Sequence, residues 1–213
     1  MTLDAVKNRN KTLRADLQVI ADLVEPGSRV LDVGCGDGAL LTYLNAQKRV
    51  DGRGVEISQA GVNSCVAHGL SVIQGDADAD LKDYPSDAFD YVILSQTLQA
   101  THNPKRVVGE MVRIGRRAIV SFPNFGFWRV RLNLLLGGRM PVTEALGYAW
   151  YETPNIHLCT LKDFVAMCRE VGVTIEKGIA LAHTGHAGDI HPTGLFTNWL
   201  AEQGVYLLKR DGD

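Results

Sequence analysis

The sequence predicts an α/β fold built on a doubly wound, mostly parallel sheet. Three observations predict it. Short β-rich runs alternate with helical patterns at the spacing of βαβ units through residues 13–122. The first run enters a glycine turn, VLDVGCGDG at 30–38. The run at 87–95, DAFDYVILS, is apolar nearly throughout, as a strand covered on both faces must be.

Each element has its own signal. Leu13, Leu17, Ile20, Ala21 and Val24 keep helical spacing until Pro26-Gly27 ends the helix. RVLDV (29–33) is the first strand, and 39–47 reads as a helix. GRGVEI (52–57) is the second strand, after which Ser58 caps a helix to about His68. LSVIQ (70–74) is the third strand and DAFDYVILS the fourth. Asn103 caps a helix to about Arg113, with Pro104 in its first position. RAIVSF (117–122) is the fifth strand.

Beyond it the pattern changes. FGFWRVRLNLLLGGRMP (125–141) is a largely apolar helix with interleaved arginines. GYAWYETPNIH (147–157) is an aromatic loop. Thr160 and Gly172 bracket another helix, and VTIEKGIAL (173–181) and VYLLKR (205–210) are the last two strands. HTGHAGDIHPTG (183–194) reads as loop. The expected organisation is one domain over 1–213, with a helical and aromatic insertion around 125–159.

Composition bounds the function. Apolar residues make up 46% and charged residues 22%, the balance of a soluble globular chain. A formal net charge of −2 supplies no global basic field for nucleic acid or an anionic membrane. No apolar run is long enough to span a bilayer, and the N-terminal stretch has no secretory h-region. Cys35, Cys65, Cys159 and Cys168 are scattered without a CxxC, which suits free thiols in a reducing cytoplasm. His183, His186 and His191 match neither an HExxH helix nor a zinc-finger pair, so no metal is expected.

The glycine turn chooses among cofactors by charge. Gly34-Cys-Gly36-Asp-Gly38-Ala39 also fits a dinucleotide fingerprint loosely. A pyrophosphate there would meet Asp32 and Asp37. One like-charge contact at ~4 Å costs about 4 kcal/mol at an effective dielectric near 20. S-adenosylmethionine has no phosphate, and its ammonium and sulfonium welcome carboxylates. Glu56 ends the second strand, where a carboxylate reaches ribose hydroxyls in either cofactor class. Asp76, after the third strand, is placed for an adenine amino group or serves as a turn aspartate.

These segments resemble the class I S-adenosylmethionine-dependent methyltransferase fold, which implies a seven-stranded sheet with an antiparallel last strand. LRADLQVIADLVEPGSRVLDVGCGDG, FDYVILSQTLQAT, RRAIVSFPNFGFWRVRLNLLLGGRMPVTEAL and WYETPNIHLCTLKDF further resemble the MetW family of methionine biosynthesis. The histidine-bearing loop at 183–194 departs from that resemblance. The cofactor set under this reading is Asp32, Gly34, Cys35, Gly36, Glu56, Ile57, Asp76, Ala77 and Ser95, holding S-adenosylmethionine or S-adenosylhomocysteine. Gly34 and Gly36 take the methionine portion, Asp32 its ammonium, Glu56 the ribose and Asp76 the adenine.

Fold and family imply different activities. The fold implies methyl transfer; the family implies an accessory partner of a homoserine O-acyltransferase. At the edge beyond the fourth and fifth strands the sequence offers Ser95, Gln96, Thr97, Gln99, His102, Pro123 and Asn124, and no carboxylate. His102 is a candidate base or a loop histidine, and His157 is expected to pack the aromatic loop. The helix around Trp128 is either buried beneath that loop, exposed for a partner, or laid on a membrane surface. A methyltransferase acting on a small metabolite and an NAD-binding module remain the alternatives.

Overall fold

The computed structural model describes residues 13–143, 146–182, 187–189 and 196–211. Its elements are α1 (Ala15–Leu23), β1 (Arg29–Val33), α2 (Ala39–Lys48), β2 (Asp51–Glu56), α3 (Gln59–Ala67), β3 (Ser71–Gln74), β4 (Phe89–Ser95), α4 (Pro104–Ile114), β5 (Gly115–Pro123), α5 (Trp128–Gly137), α6 (Leu161–Glu170), β6 (Val173–Leu181), β7 (Ala187–Asp189), α7 (Thr197–Leu200) and β8 (Gln203–Arg210). Single 3-10 turns lie at Leu81–Asp83 and Leu98–Ala100.

The strands form one sheet in the order β3-β2-β1-β4-β5-β8-β6-β7. Strands β1 to β5 pair in parallel. The expected antiparallel last strand is β8, inserted between β5 and β6. The seven expected strands are all present. β7 is a three-residue addition at the edge, paired antiparallel with β6. It corrects the reading of 183–194 as loop throughout; His183, His186 and His191 fall outside the described residues.

Alternation along the central strands explains the two packed faces. Tyr91, Ile93, Ile119, Val205 and Leu207 point to one face and meet Ile20 of α1 and Leu40 and Leu44 of α2. Val92, Leu94, Val120, Phe122, Tyr206 and Leu208 point to the other and meet α4 and α6 through Val108, Met111, Phe164 and Val165. Both faces are covered, which is why β4 is written as a nearly continuous apolar run.

The helix ends follow their caps. Asn103 Oδ1 accepts from the Arg106 backbone N–H at 3.2 Å, with Pro104 next. Thr160 and Asp163 form a reciprocal capping box on α6. Gly172 follows that helix with φ +67°, a conformation glycine adopts without steric cost.

Candidate functional site

The strand order turns around at β1, which lies between β2 and β4. The loops after β1 and β4 therefore leave in opposite directions and open a crevice at the carboxyl ends, where open α/β sheets take ligands.

Asp32 stands one residue before the end of β1 and is 3% exposed. Its carboxyl accepts no hydrogen bond among the described residues. It is pushed up to about 7, first by burial, then by the charge of Glu56, against a smaller opposing pull from Arg14. A buried acid in that condition favours an arriving cation, which would restore its charge.

The turn that follows needs its glycines for different reasons. Gly34 (φ +72°) and Gly36 (φ +57°) are both left-handed. Gly34 N and Cys35 N donate to Val55 O at 2.7 and 3.2 Å, folding the turn across β2. A Cβ on Gly34 would stand 2.7 Å from Thr97 Oγ1, so this glycine lets the turn press against the end of β4. A Cβ on Gly36 would meet nothing within 4 Å, so the backbone there faces open space.

Glu56 closes the turn from β2. Its Oε2 accepts from Gly36 N at 2.8 Å and its Oε1 from Ser58 N at 2.9 Å. The carboxylate thus shapes the turn, and each oxygen retains acceptor capacity. Ile57, beside it, is 66% exposed and offers a bare apolar side chain at the crevice. Ala77 and Ser95 are half-buried. Cys35 lies behind the turn, its Sγ 4.0 Å from Cys65 Sγ. Burial pushes its thiol up, away from the thiolate form a nucleophile needs.

Asp76 is engaged in a turn. Its Oδ1 accepts from Asp78 N at 2.8 Å, and its own N–H donates to Asp80 Oδ2 at 2.7 Å. Asp78, passed over in the sequence reading, accepts from His102 N and Asn103 N at 2.7 and 2.8 Å. It ties the loop after β3 to the loop after β4. The alternating aspartates of DADAD (76–80) were its visible signal.

The other wall of the crevice carries a correction. The sequence reading found no carboxylate beyond β4 and β5, yet α1 delivers Asp16 there, 1% exposed. Its carboxylate accepts from Arg14 Nε and Nη2 at 2.7 and 2.9 Å, from Gln96 Nε2 at 3.2 Å, and from Ser95 Oγ and Ser121 Oγ at 3.3 Å each. Ser95 and Ser121 are side by side because β4 and β5 pair in that register. Gln96 adopts φ +52°, a left-handed backbone on a non-glycine residue and a form of strain common at functional sites. A chain-order reading missed Asp16 because it lies 79 residues before Ser95.

Other candidates separate from the crevice chemistry. His102 and His157 are exposed, so His157 does not pack the loop as expected. Asn124 is buried and committed to structure. Its Nδ2 donates to Asn198 O and Ala201 O at 2.9 and 2.8 Å, and its Oδ1 accepts from Gly126 N at 2.9 Å. Helix α5 is exposed, which removes the expectation that the aromatic loop buries it; Val130 is its buried residue. Among the described residues no helix is long and apolar enough to cross a membrane.

A family model described as "Methionine biosynthesis protein MetW" matches residues 14–208. The chain belongs to the MetW family. The bifunctional methionine biosynthesis protein MetXA/MetW of Rhodopirellula baltica is 35% identical over 177 residues, covering 79% of this chain and 28% of that protein. The chain therefore spans well under a third of that relative. Among solved structures, a possible histamine N-methyltransferase from Thermotoga maritima superposes with a TM-score of 0.68 at 18% identity, over 92% of this chain and 88% of that one. The putative methyltransferase complexed with the Haloferax volcanii Trm112 activator gives 0.67 at 14% identity, over 97% and 92%. These likenesses show the S-adenosylmethionine-dependent methyltransferase fold.

Proposed function

We propose that this MetW-family chain is a cytoplasmic, single-domain accessory protein of methionine biosynthesis, which binds S-adenosylmethionine or S-adenosylhomocysteine and associates with a homoserine O-acyltransferase of the MetX type. The observation that carries the partnership is the relative named MetXA/MetW, a single polypeptide in which the two are joined. Joining two proteins holds them at high effective concentration, which is useful when they work together.

The residues fit the cofactor. The buried Asp32 carboxyl, which accepts no hydrogen bond among the described residues, suits an ammonium. The open backbone at Gly36 gives room for the methionine portion, with Gly34 and Cys35 shaping the turn. Glu56 is placed to accept from ribose hydroxyls while holding the turn. Ile57 and Ala77 offer apolar cover for the adenine, Asp76 an acceptor for its amino group, and Ser95 a wall of the crevice. When bound, the cofactor supplies a cationic sulfonium and a transferable methyl group. The chain's own residues bind, orient and electrostatically select it.

Purified acyltransferase from the same organism is expected to gain activity when this protein is added, and the two to co-elute on a sizing column. The absence of both activation and co-elution would end the partnership reading.

Asp16 favours a second reading, a methyltransferase acting on a small metabolite. A buried carboxylate beside Ser95 and Ser121 sits where an acceptor would approach. Five donors already engage it, so it also orders the crevice wall. S-adenosylhomocysteine production that depends on an added acceptor would support this second reading.

A further inference from the structure

We infer that α5 and α7 together form the face on which the acyltransferase docks; this rests on the partnership proposed above and adds its location. Every residue from 131 to 140 is exposed. Leu132, Leu135 and Leu136 lie at i, i+3 and i+4, a stripe opposite the buried Val130. Leu135 is 81% exposed and Leu136 76%. On α7 and the residue before it, Phe196 is 80% exposed, and Trp199 and Leu200 also face solvent.

Arg131 joins the two elements. Its guanidinium carbon lies 5.3 Å from the Trp199 ring centroid, and its Nε donates to Gly126 O at 2.6 Å. Beneath them Asn124 binds the α7 backbone at Asn198. The face is thus held in place before any partner arrives, which lowers the ordering cost of binding. The six apolar side chains expose on the order of 700 Å², taking ~150–250 Å² for a large side chain. Summed over the two elements, this approaches the ~800 Å² per partner of a stable complex.

Charge selects the occupant. Residues 125–140 carry Arg129, Arg131 and Arg139 and no acid. A second copy of this chain would bring like charges together across a two-fold axis. A lipid surface normally requires a second anchoring signal beyond a short helix and three cations. A protein partner with an apolar patch and an acidic rim satisfies both the leucine stripe and the arginines.

The test compares wild type with the double variant Leu135→Asp/Leu136→Asp. Both residues are exposed, so the fold is expected to hold, checked by unchanged thermal melting and unchanged S-adenosylhomocysteine affinity. Binding to the purified acyltransferase is measured by calorimetry, and Arg139→Glu is run in parallel. The expected result is roughly a 100-fold loss of affinity in the double variant and a smaller, salt-dependent loss in Arg139→Glu. If wild type binds and the double variant binds equally well, the face is wrong and the partnership stands. If wild type does not bind, the partnership fails and the face falls with it. Self-association of wild type that the double variant abolishes, or vesicle binding to phosphatidylglycerol lost in the same way, would overturn the proposal in favour of those occupants.

Discussion

Asp32 sits where a carboxylate is costly. In the unfolded chain it titrates in the ordinary acid range, near 3.8, whereas in the folded protein it is pushed up to about 7. The folded state therefore holds the extra proton between those values. Stability falls as pH rises through that window, and the full cost, about 4 kcal/mol, applies above pH 7. Asp32→Asn removes the charge and with it the pH dependence. The melting temperature of Asp32→Asn relative to wild type is expected to climb between pH 5 and pH 8, by on the order of 5 °C, while affinity for S-adenosylhomocysteine falls. A melting difference independent of pH would show that Asp32 is not held near neutrality. Glu56 requires a gentler probe. Because it accepts from Gly36 N and Ser58 N, Glu56→Ala would disturb the turn as well as the ribose contact, and Glu56→Gln is the more discriminating substitution.

At the scale of elements, Asn124 shows how one side chain fixes an edge. It joins the end of β5 to α7 through Asn198 and Ala201, and to α6 through Leu161 N at 3.3 Å. Asn124→Ala leaves several buried backbone groups without a partner and is expected to cost on the order of 3 kcal/mol. A urea titration reads this as a lowered midpoint. The glycine turn follows β1, which β4 separates from β5 in the sheet, so its ligand affinity should persist, and a matching loss of affinity would mean the two are coupled. The parallel strands and their helices were legible because each carries a local signal: β-rich runs, Ser58, Asn103-Pro104 and the Thr160 cap. The glycine turn was legible for the same reason. Asp16 was not, because its meaning arises only when α1 packs beside β4 and β5. Helix α5 was ambiguous in sequence, since its leucines cover more than one face and periodicity alone does not say which face is bare. Short elements such as α7 and β7 carry too few residues to announce a period.

At the scale of the molecule, the carboxyl edge of the parallel strands leads into two surfaces of different chemistry. The carboxyl ends of β1 and β2 carry acidic side chains beside a left-handed glycine turn. The segment after β5 carries exposed leucines and arginines. β5 serves both, with Ser121 in the Asp16 cluster and Asn124 under the apolar face. A ligand at the turn regulates the partner only if it binds two states of the complex with different affinity. The acyltransferase assay repeated over a saturating titration of S-adenosylmethionine measures that difference. Regulation of the partner presupposes that the turn binds the ligand. The most direct test of that binding is a calorimetric titration with S-adenosylhomocysteine, whose ammonium keeps its charge between pH 6 and pH 8. The account predicts saturable one-to-one binding, about tenfold tighter at pH 8 than at pH 6 because Asp32 must lose its proton to hold the cation. No saturable binding at either pH, or equally tight binding of NAD, would contradict it.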